Sequence, residues 1–368
     1  MVNIKSQNSR RDFIRLSSLG IAGAMVLPGI KTFAARNNPI GKKMGIALVG
    51  LGWYSTDILA PALQETEIAY LAGIVTGTPS KEKIWAAKYN IPEKNIYNYE
   101  NFDEIAANPD IDIVYVVLPN SMHKEFTIRA ANAGKHVICE KPMAVNAQEC
   151  REMIDACEKN NVGLSIGYRM QYEPFTQEIM RLGQEKEFGE VLHISCGGAF
   201  RNNNLSHWKW DKAMGGGSMM DMGVYPLQAA RYSTGMEPVS VTAQTFNTRE
   251  ATKGLADEAT TFQLQFPNGA VANLSTGFHA NYNFLKVRAE RGWFELEPFS
   301  GFRNIKGRTS SGELSFPDVN QQATQMDEDA ISFAKGERPR VPGEEGLKDM
   351  IVVDAVYESI KTGKTIMI

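Results

Sequence analysis

GIALVGLGWYS, residues 45–55, decides how the rest of the chain is read. Its first six residues form an unbroken apolar run, which fits a strand buried on both faces of a parallel sheet. GLGWYS then places glycines where such a strand turns into a helix. Gly50 permits a tight turn, and Gly52 lets the backbone approach a pyrophosphate at the helix N-terminus. Ser55 stands third, where a smaller residue is usual, so the helix is expected to pack slightly farther from the strand. Trp53 and Tyr54, inside the turn, join the expected cofactor contacts.

Outward from this point, apolar runs alternate with helical spacing. IAYLAGIV (68–75), IDIVYVVLP (111–119), KHVIC (135–139) and VGLSIG (162–167) are further buried-strand runs, with helices expected over 56–65, 80–89, 121–133 and 147–160. Strand–helix alternation predicts an α/β fold whose N-terminal part, 44–167, is a Rossmann-type doubly wound parallel sheet. After about Gly189 the texture changes. VLHISCGGAF, VSVTAQTF, ATTFQLQF, AVANLSTGFH, LKVRAE and GWFELE are β-rich, and Asn-Gly in FPNGA (266–270) signals a hairpin. Residues 168–368 are therefore expected to form an α+β domain with a large, mostly antiparallel, open-faced sheet. Its helices fall at about 213–234, 323–335 and 346–361. An uncovered sheet face calls for a cover, which points to a homodimer or homotetramer built through it.

The end of the second strand bears on the cofactor. An NAD site usually places a carboxylate there for the ribose hydroxyls. GIVTGTPSKEK (73–83) has none before Glu82; instead Thr76, Thr78 and Ser80 offer hydroxyls and Lys81 a cation, groups suited to the 2′-phosphate of NADP. Thr78 or Ser80 can serve equally as an ordinary helix cap. LPNSMH (118–123) and AGKHVICEKP (133–142) end the next strands, so Leu118, Asn120, His123, Glu140 and Lys141 are expected along the crevice beyond the strand ends. Pro142 fixes the backbone after Lys141, whose ammonium can polarise a carbonyl or bind a developing alkoxide. In GGGSMMDMGVY (215–225), Asp221 and Tyr225 lie four apart on one helix face and can handle a hydroxyl proton. Asp221 also stands at the capping-box spacing from Ser218, a purely structural alternative.

The first residues carry an address. SRRDFIR (9–15) precedes a modestly apolar run, 16–30, too short for a membrane helix, which needs about 20 residues. Residues 1–34 are thus expected to be a twin-arginine signal peptide, cleaved after Ala34 and followed by a short arm, 35–43. That address implies the twin-arginine export machinery as a partner and a periplasmic or secreted product. The chain's net charge of −3 excludes a basic nucleic-acid footprint, and no later stretch is long and apolar enough to span a membrane. Cysteine and histidine spacing shows no metal site. Cys150 and Cys157, about 10 Å apart along a helix, cannot pair; a bridge between Cys139 and Cys196 stays open.

GLGWYS, LPNSMH, CEKPM, GYRMQYEP and GGGSMMDMGVYP, in this order, resemble the Gfo/Idh/MocA oxidoreductases, nearest the periplasmic glucose–fructose and aldose oxidoreductase branch. The resemblance implies Lys141 as catalytic lysine, Asp221 as its partner carboxylate and Tyr225 as proton donor and acceptor. It implies Arg169 as a cofactor and sugar contact, and Tyr172, Trp208 and Trp210 as sugar contacts, although HWKW (207–210) reads equally as a lid packed on the core. Its implied activity is NADP-dependent hydride transfer between sugars, with the cofactor loaded before export and kept bound. An ordinary dehydrogenase with exchangeable NAD(P), an NAD-cycling glycosidase and a non-catalytic sugar sensor are the alternatives.

Overall fold

In the computed structural model, residues 41–368 are described; the expected signal and most of the arm lie outside them. The apolar runs become the strands of a six-stranded parallel sheet: β1 (Met44–Val49), β2 (Ala69–Val75), β3 (Ile96–Tyr97), β4 (Ile113–Val116), β5 (His136–Cys139) and β6 (Leu164–Ile166). Their order, β3-β2-β1-β4-β5-β6, reverses direction between β1 and β4, the switch point beside which ligands of such sheets bind. Only β3 lacks a matching run; its two residues are too few to show a pattern. Phe102, Phe126, Ala130, Met153 and Cys157 cover one face, from the segments Phe102–Ala107, His123–Asn132 and Ala147–Lys159.

The other face is covered partly from the far end of the chain. Helix Gln321–Lys335 inserts Ala323, Met326, Ala330 and Phe333 among Ile46, Leu48, Ile74 and Ile138. Phe333 stacks on His136 at 4.7 Å between ring centroids. The Asp327 carboxylate accepts the backbone N–H groups of Glu67, Ile68 and Ala69 at the start of β2. The helix assigned by sequence to the second half of the chain thus completes the first sheet.

The remaining strands form a nine-stranded sheet: β7 (Val191–Ala199), β8 (Ser240–Phe246), β9 (Ala259–Gln265), β10 (Val271–Gly277), β11 (Tyr282–Ala289), β12 (Gly292–Leu296), β13 (Gly307–Thr309), β14 (Gly312–Leu314) and β15 (Ile366–Met367). Its order is β14-β13-β12-β11-β7-β10-β9-β8-β15, antiparallel except where β10 lies parallel to β7. The Asn-Gly turn joins β9 to β10, with Gly269 at φ +86°. Helices Pro174–Gln184, Val224–Thr234 and Gly343–Thr362 supply apolar residues to the core on one face. The opposite face carries a polar ladder, Gln263 to Asn273 to His193, each step 2.9 Å.

One expected element changes. Residues 213–234 do not form a single helix: Gly215 (φ +73°) and Gly217 (φ +124°) adopt a left-handed backbone that breaks a right-handed helix. Winding resumes at Met219–Gly223 as a π-turn and passes into Val224–Thr234. All four cysteines are buried and free, so Cys139 and Cys196 form no bridge.

Asp329, fully buried on helix Gln321–Lys335, accepts the Tyr172 hydroxyl at 3.0 Å. Burial pushes its carboxyl up to about 7 against the hydrogen bonds of its neighbours. An unfolded Asp titrates near 3.9, so the native state binds more protons between these values and loses stability as pH rises through that window. Asp329→Asn should remove this slope, so its denaturation midpoint gains on the wild type from pH 5 to pH 8. Parallel midpoints across that range would contradict the buried titration.

Candidate active site

The site begins at the turn after β1. Gly50 has φ +91°, and a Cβ there would lie 2.3 Å from the Val117 carbonyl oxygen, so only glycine fits. A Cβ on Gly52 would meet nothing within 4 Å, leaving its backbone facing open space of the kind a pyrophosphate needs. Ser55 closes the turn from behind, its buried hydroxyl donating to the Gly50 carbonyl at 2.5 Å. The third position is thus used as a tie rather than a spacer. Lys81 reaches back from the β2 end and donates to the Leu51 carbonyl at 2.7 Å, bringing its cation to the same turn. Thr76 is buried and accepts the Thr78 N–H, whereas Thr78 and Ser80 are exposed and free of side-chain capping. These residues fit a dinucleotide held at the turn after β1.

Behind the crevice, His123 clamps two strand ends together. Its ring nitrogens face the Pro142 and Leu118 carbonyls, each at 2.9 Å, and burial holds the ring below its ordinary pKa against those bonds. Asn120 donates to the Gly215 carbonyl at 2.7 Å, tying the β4 end to the glycine loop of the second half. Glu140 accepts the Tyr115 hydroxyl at 2.8 Å; burial raises its pKa against that bond. A Cβ on Gly167 would lie 2.7 Å from Glu140 Oε1, so a side chain there would displace the carboxyl.

Lys141, Asp221 and Tyr225 meet. Lys141 Nζ donates to the Asp221 carbonyl at 2.6 Å, lies 3.5 Å from Asp221 Oδ1 and stands 4.8 Å from the Tyr225 ring centroid. Burial works against the Lys141 ammonium, but Tyr225, Asp221 and Glu140 outweigh it and hold its pKa above the ordinary lysine value. Burial likewise disfavours the Asp221 carboxylate, and Lys209 and Lys141 reverse that, keeping it ionised. Ser218 makes no side-chain cap; its hydroxyl goes to Asp257, so the capping-box alternative for Asp221 fails. A cation, an anion and a half-buried phenol therefore converge, a set able to bind a hydroxyl, take its proton and stabilise the resulting oxygen charge.

Arg169 anchors the neighbouring wall. Its guanidinium donates to the carbonyls of Ser300 (2.7 Å) and Gly301 (3.0 Å) and to Gln321, and lies 4.3 Å from the Phe302 ring centroid and 5.3 Å from that of Tyr225. Phe302 packs on Trp53 and Tyr54 with centroids 6.2 and 6.1 Å apart, so a loop of the second half meets the dinucleotide turn. Three expected residues stand behind the site instead of in it. Tyr172 is buried and spends its hydroxyl on Asp329, and His123 is the clamp described above. Trp210 is buried against Phe278 at 5.0 Å, the core-packed lid of the two readings of HWKW; Trp208 is half-buried. Sequence reasoning misses Lys209, set between those two tryptophans, whose Nζ donates to Asp221 Oδ2 at 2.7 Å. It also misses Phe302, which no motif marks. No group of three or more metal-ligating side chains occurs among the described residues.

Two family models cover this arrangement. One, described as an oxidoreductase family with an NAD-binding Rossmann fold, matches residues 44–168; the other, the GFO/IDH/MocA C-terminal domain, matches 176–295. The crystal structure of aldose-aldose oxidoreductase from Caulobacter crescentus, complexed with glycerol, is similar at a TM-score of 0.86 and 40% identity, over 89% of this chain and 100% of that one. D-xylose 1-dehydrogenase [NADP(+)] of Haloarcula marismortui is 28% identical over 90% of this chain and 94% of its own length. D-xylose 1-dehydrogenase (NADP(+)) 2 of Haloferax volcanii is 28% identical over 88% and 99%. With a dinucleotide turn, a Lys–Asp–Tyr cluster and both halves matched, the chain belongs to the Gfo/Idh/MocA oxidoreductase family.

Proposed function

We propose that this protein is an NADP-dependent sugar oxidoreductase that oxidises an aldose to its lactone and reduces a second carbonyl sugar, keeping its cofactor bound between the two. The convergence of Lys141, Asp221 and Tyr225 beyond the open backbone of Gly52 carries this reading. The chemistry a bound nicotinamide would supply is hydride transfer, from the carbon of the first sugar and to the carbonyl carbon of the second. Tyr225, as its phenolate, takes the proton of the reacting hydroxyl and then, as the phenol, gives it to the carbonyl oxygen of the second sugar, while the Lys141 ammonium, held protonated, stabilises the oxygen as charge develops. Asp221 orients Lys141 through its own carbonyl and carboxylate. Relatives named for xylose and for paired aldoses support a sugar substrate.

Lys81 beside the turn, with Thr78 and Ser80 exposed after β2 and no carboxylate before Glu82, supports NADP over NAD. Lys81→Ala should raise the dissociation constant for NADP about tenfold and leave that for NAD within twofold, as loss of one charged phosphate contact predicts. Equal losses for both would refute the phosphate role; fluorescence titration separates them.

Retention is proposed to come from the Phe302–Trp53–Tyr54 contact across the dinucleotide turn. Residues 1–34 support loading before folded export to the periplasm, where free NADP is not to be expected. The polar sheet face, with Leu192 and Phe246 exposed on its strands, is proposed to pair with a second copy. Denaturing the purified mature protein and weighing the released nucleotide tests the cofactor. Adding aldose without nucleotide, then a carbonyl sugar, tests the cycle through the near-ultraviolet band of the reduced form. Activity only with added NADP would instead favour the exchangeable-cofactor dehydrogenase.

A further inference from the structure

We propose that Lys209 recognises the hydroxyl next to the reacting carbon, so that Lys141 and Lys209, on either side of the Asp221 carboxylate, together grip a vicinal diol. The inference rests on the sugar reading and names the substrate feature that this site selects.

The tight partner of the Asp221 carboxylate is Lys209, not Lys141. Lys209 Nζ lies 2.7 Å from Oδ2, whereas Lys141 Nζ lies 3.5 Å from Oδ1 and makes its short bond to the main-chain carbonyl. One carboxylate thus sits between two ammonium groups, more positive charge than it neutralises. An ammonium has three N–H donors. Beyond Asp221, the contact described for the Lys209 ammonium is the face of Phe200, 5.2 Å from the ring centroid. Its side chain is 26% exposed, against 14% for Lys141, so donors remain on the open side. Because both nitrogens reach the same carboxylate, they lie within about 8 Å, the span of two adjacent hydroxyls and their hydrogen bonds.

A structural clip is the competing role, and the backbone argues against it. Trp208–Trp210 and the turn after it are already held by Gly217 N–H to the Lys209 carbonyl (2.8 Å), Gly216 N–H to Asp211 (2.9 Å) and Ala256 N–H to Trp210 (3.0 Å). The turn does not need the side-chain ion pair to stay in place.

The test compares cofactor-loaded wild type, Lys209→Met and Lys209→Arg on glucose and on 2-deoxyglucose, which lacks the adjacent hydroxyl. Lys209→Met should lower kcat/KM on glucose ~10–100-fold, mostly through KM, and by at least about fivefold more than on 2-deoxyglucose, where only the disturbance of Asp221 is felt. Lys209→Arg should recover part of the glucose preference, and it keeps a charge beside Asp221 should the methionine variant fold poorly. Equal losses on both sugars, or an arginine variant with undiminished loss on both, would reduce Lys209 to a clip and overturn the proposal alone. Wild type that oxidises neither sugar would overturn the sugar reading and this inference together.

Discussion

Lys141→Ala is expected to lower kcat about a thousandfold while leaving the nucleotide in place. On the proposed reading the ammonium stabilises charge next to Tyr225, and losing such a group costs ~10²–10⁴ in rate. The Gly50 and Gly52 turn, the Lys81 cation and the Phe302 contact do not depend on Lys141, so nucleotide content should stay near that of wild type. Stopped-flow reduction of the bound nucleotide by aldose measures the step directly. A variant that keeps the wild-type reduction rate would remove Lys141 from the chemistry; a sensor protein would show no reduction in either form and would keep its ligand affinity. Asp221→Asn should cost less, because the backbone carbonyl still receives the short Lys141 bond.

The second large effect concerns stability. Arg231, 3% exposed on helix Val224–Thr234, bonds Glu237 and Asp349 at 2.6 Å and Glu345 at 2.7 Å. Asp349 and Glu345 belong to helix Gly343–Thr362, so this cluster ties the helix that carries Tyr225 to the late helix beside it. Arg231→Met should destabilise by about 3–5 kcal/mol, the cost of stranding buried charge rather than the net value of the pair. Burial raises Asp349 to about 6 even with Arg231 present. Its folded value exceeds the unfolded one, so the variant should be worst above pH 6 and recover as acid protonates the carboxyl. Adding Asp349→Asn in the same background should restore much of the loss. Denaturant midpoints at pH 5 and pH 8 check all three statements; a loss that does not change with pH would contradict the assignment to Asp349.

Much of the fold and of the site is legible in the amino-acid sequence. Runs such as GIALVG and IDIVYVVLP announce strands because both faces are buried, and Lys141, Asp221 and Tyr225 sit at strand and helix ends where topology collects side chains. What stays hidden has no local signature. Phe302 follows no motif and gains meaning only by meeting Trp53 across the crevice. Lys209 is obscured by its tryptophan neighbours, since an indole pair reads as a sugar platform and the lysine between them as spacing. Tyr172 resembles a site residue because it follows Arg169 closely, but a short 3₁₀ turn, Arg169–Tyr172, sends the arginine to the loop at 300–301 and the tyrosine to Asp329. The break at 215–217 depends on glycine dihedrals that composition does not reveal.

The placement of helix Gln321–Lys335 bears on how the chain is made. Ile46 and Leu48 leave the ribosome early, yet the residues that shield them, Met326 and Phe333, arrive almost three hundred positions later. Until synthesis is nearly finished, the first sheet keeps part of one apolar side uncovered, so a nascent chain stopped before residue 320 should be a chaperone client rather than a native nucleotide-binding half. Completion of translation, not emergence of the glycine turn, sets the earliest moment at which this protein can hold its cofactor.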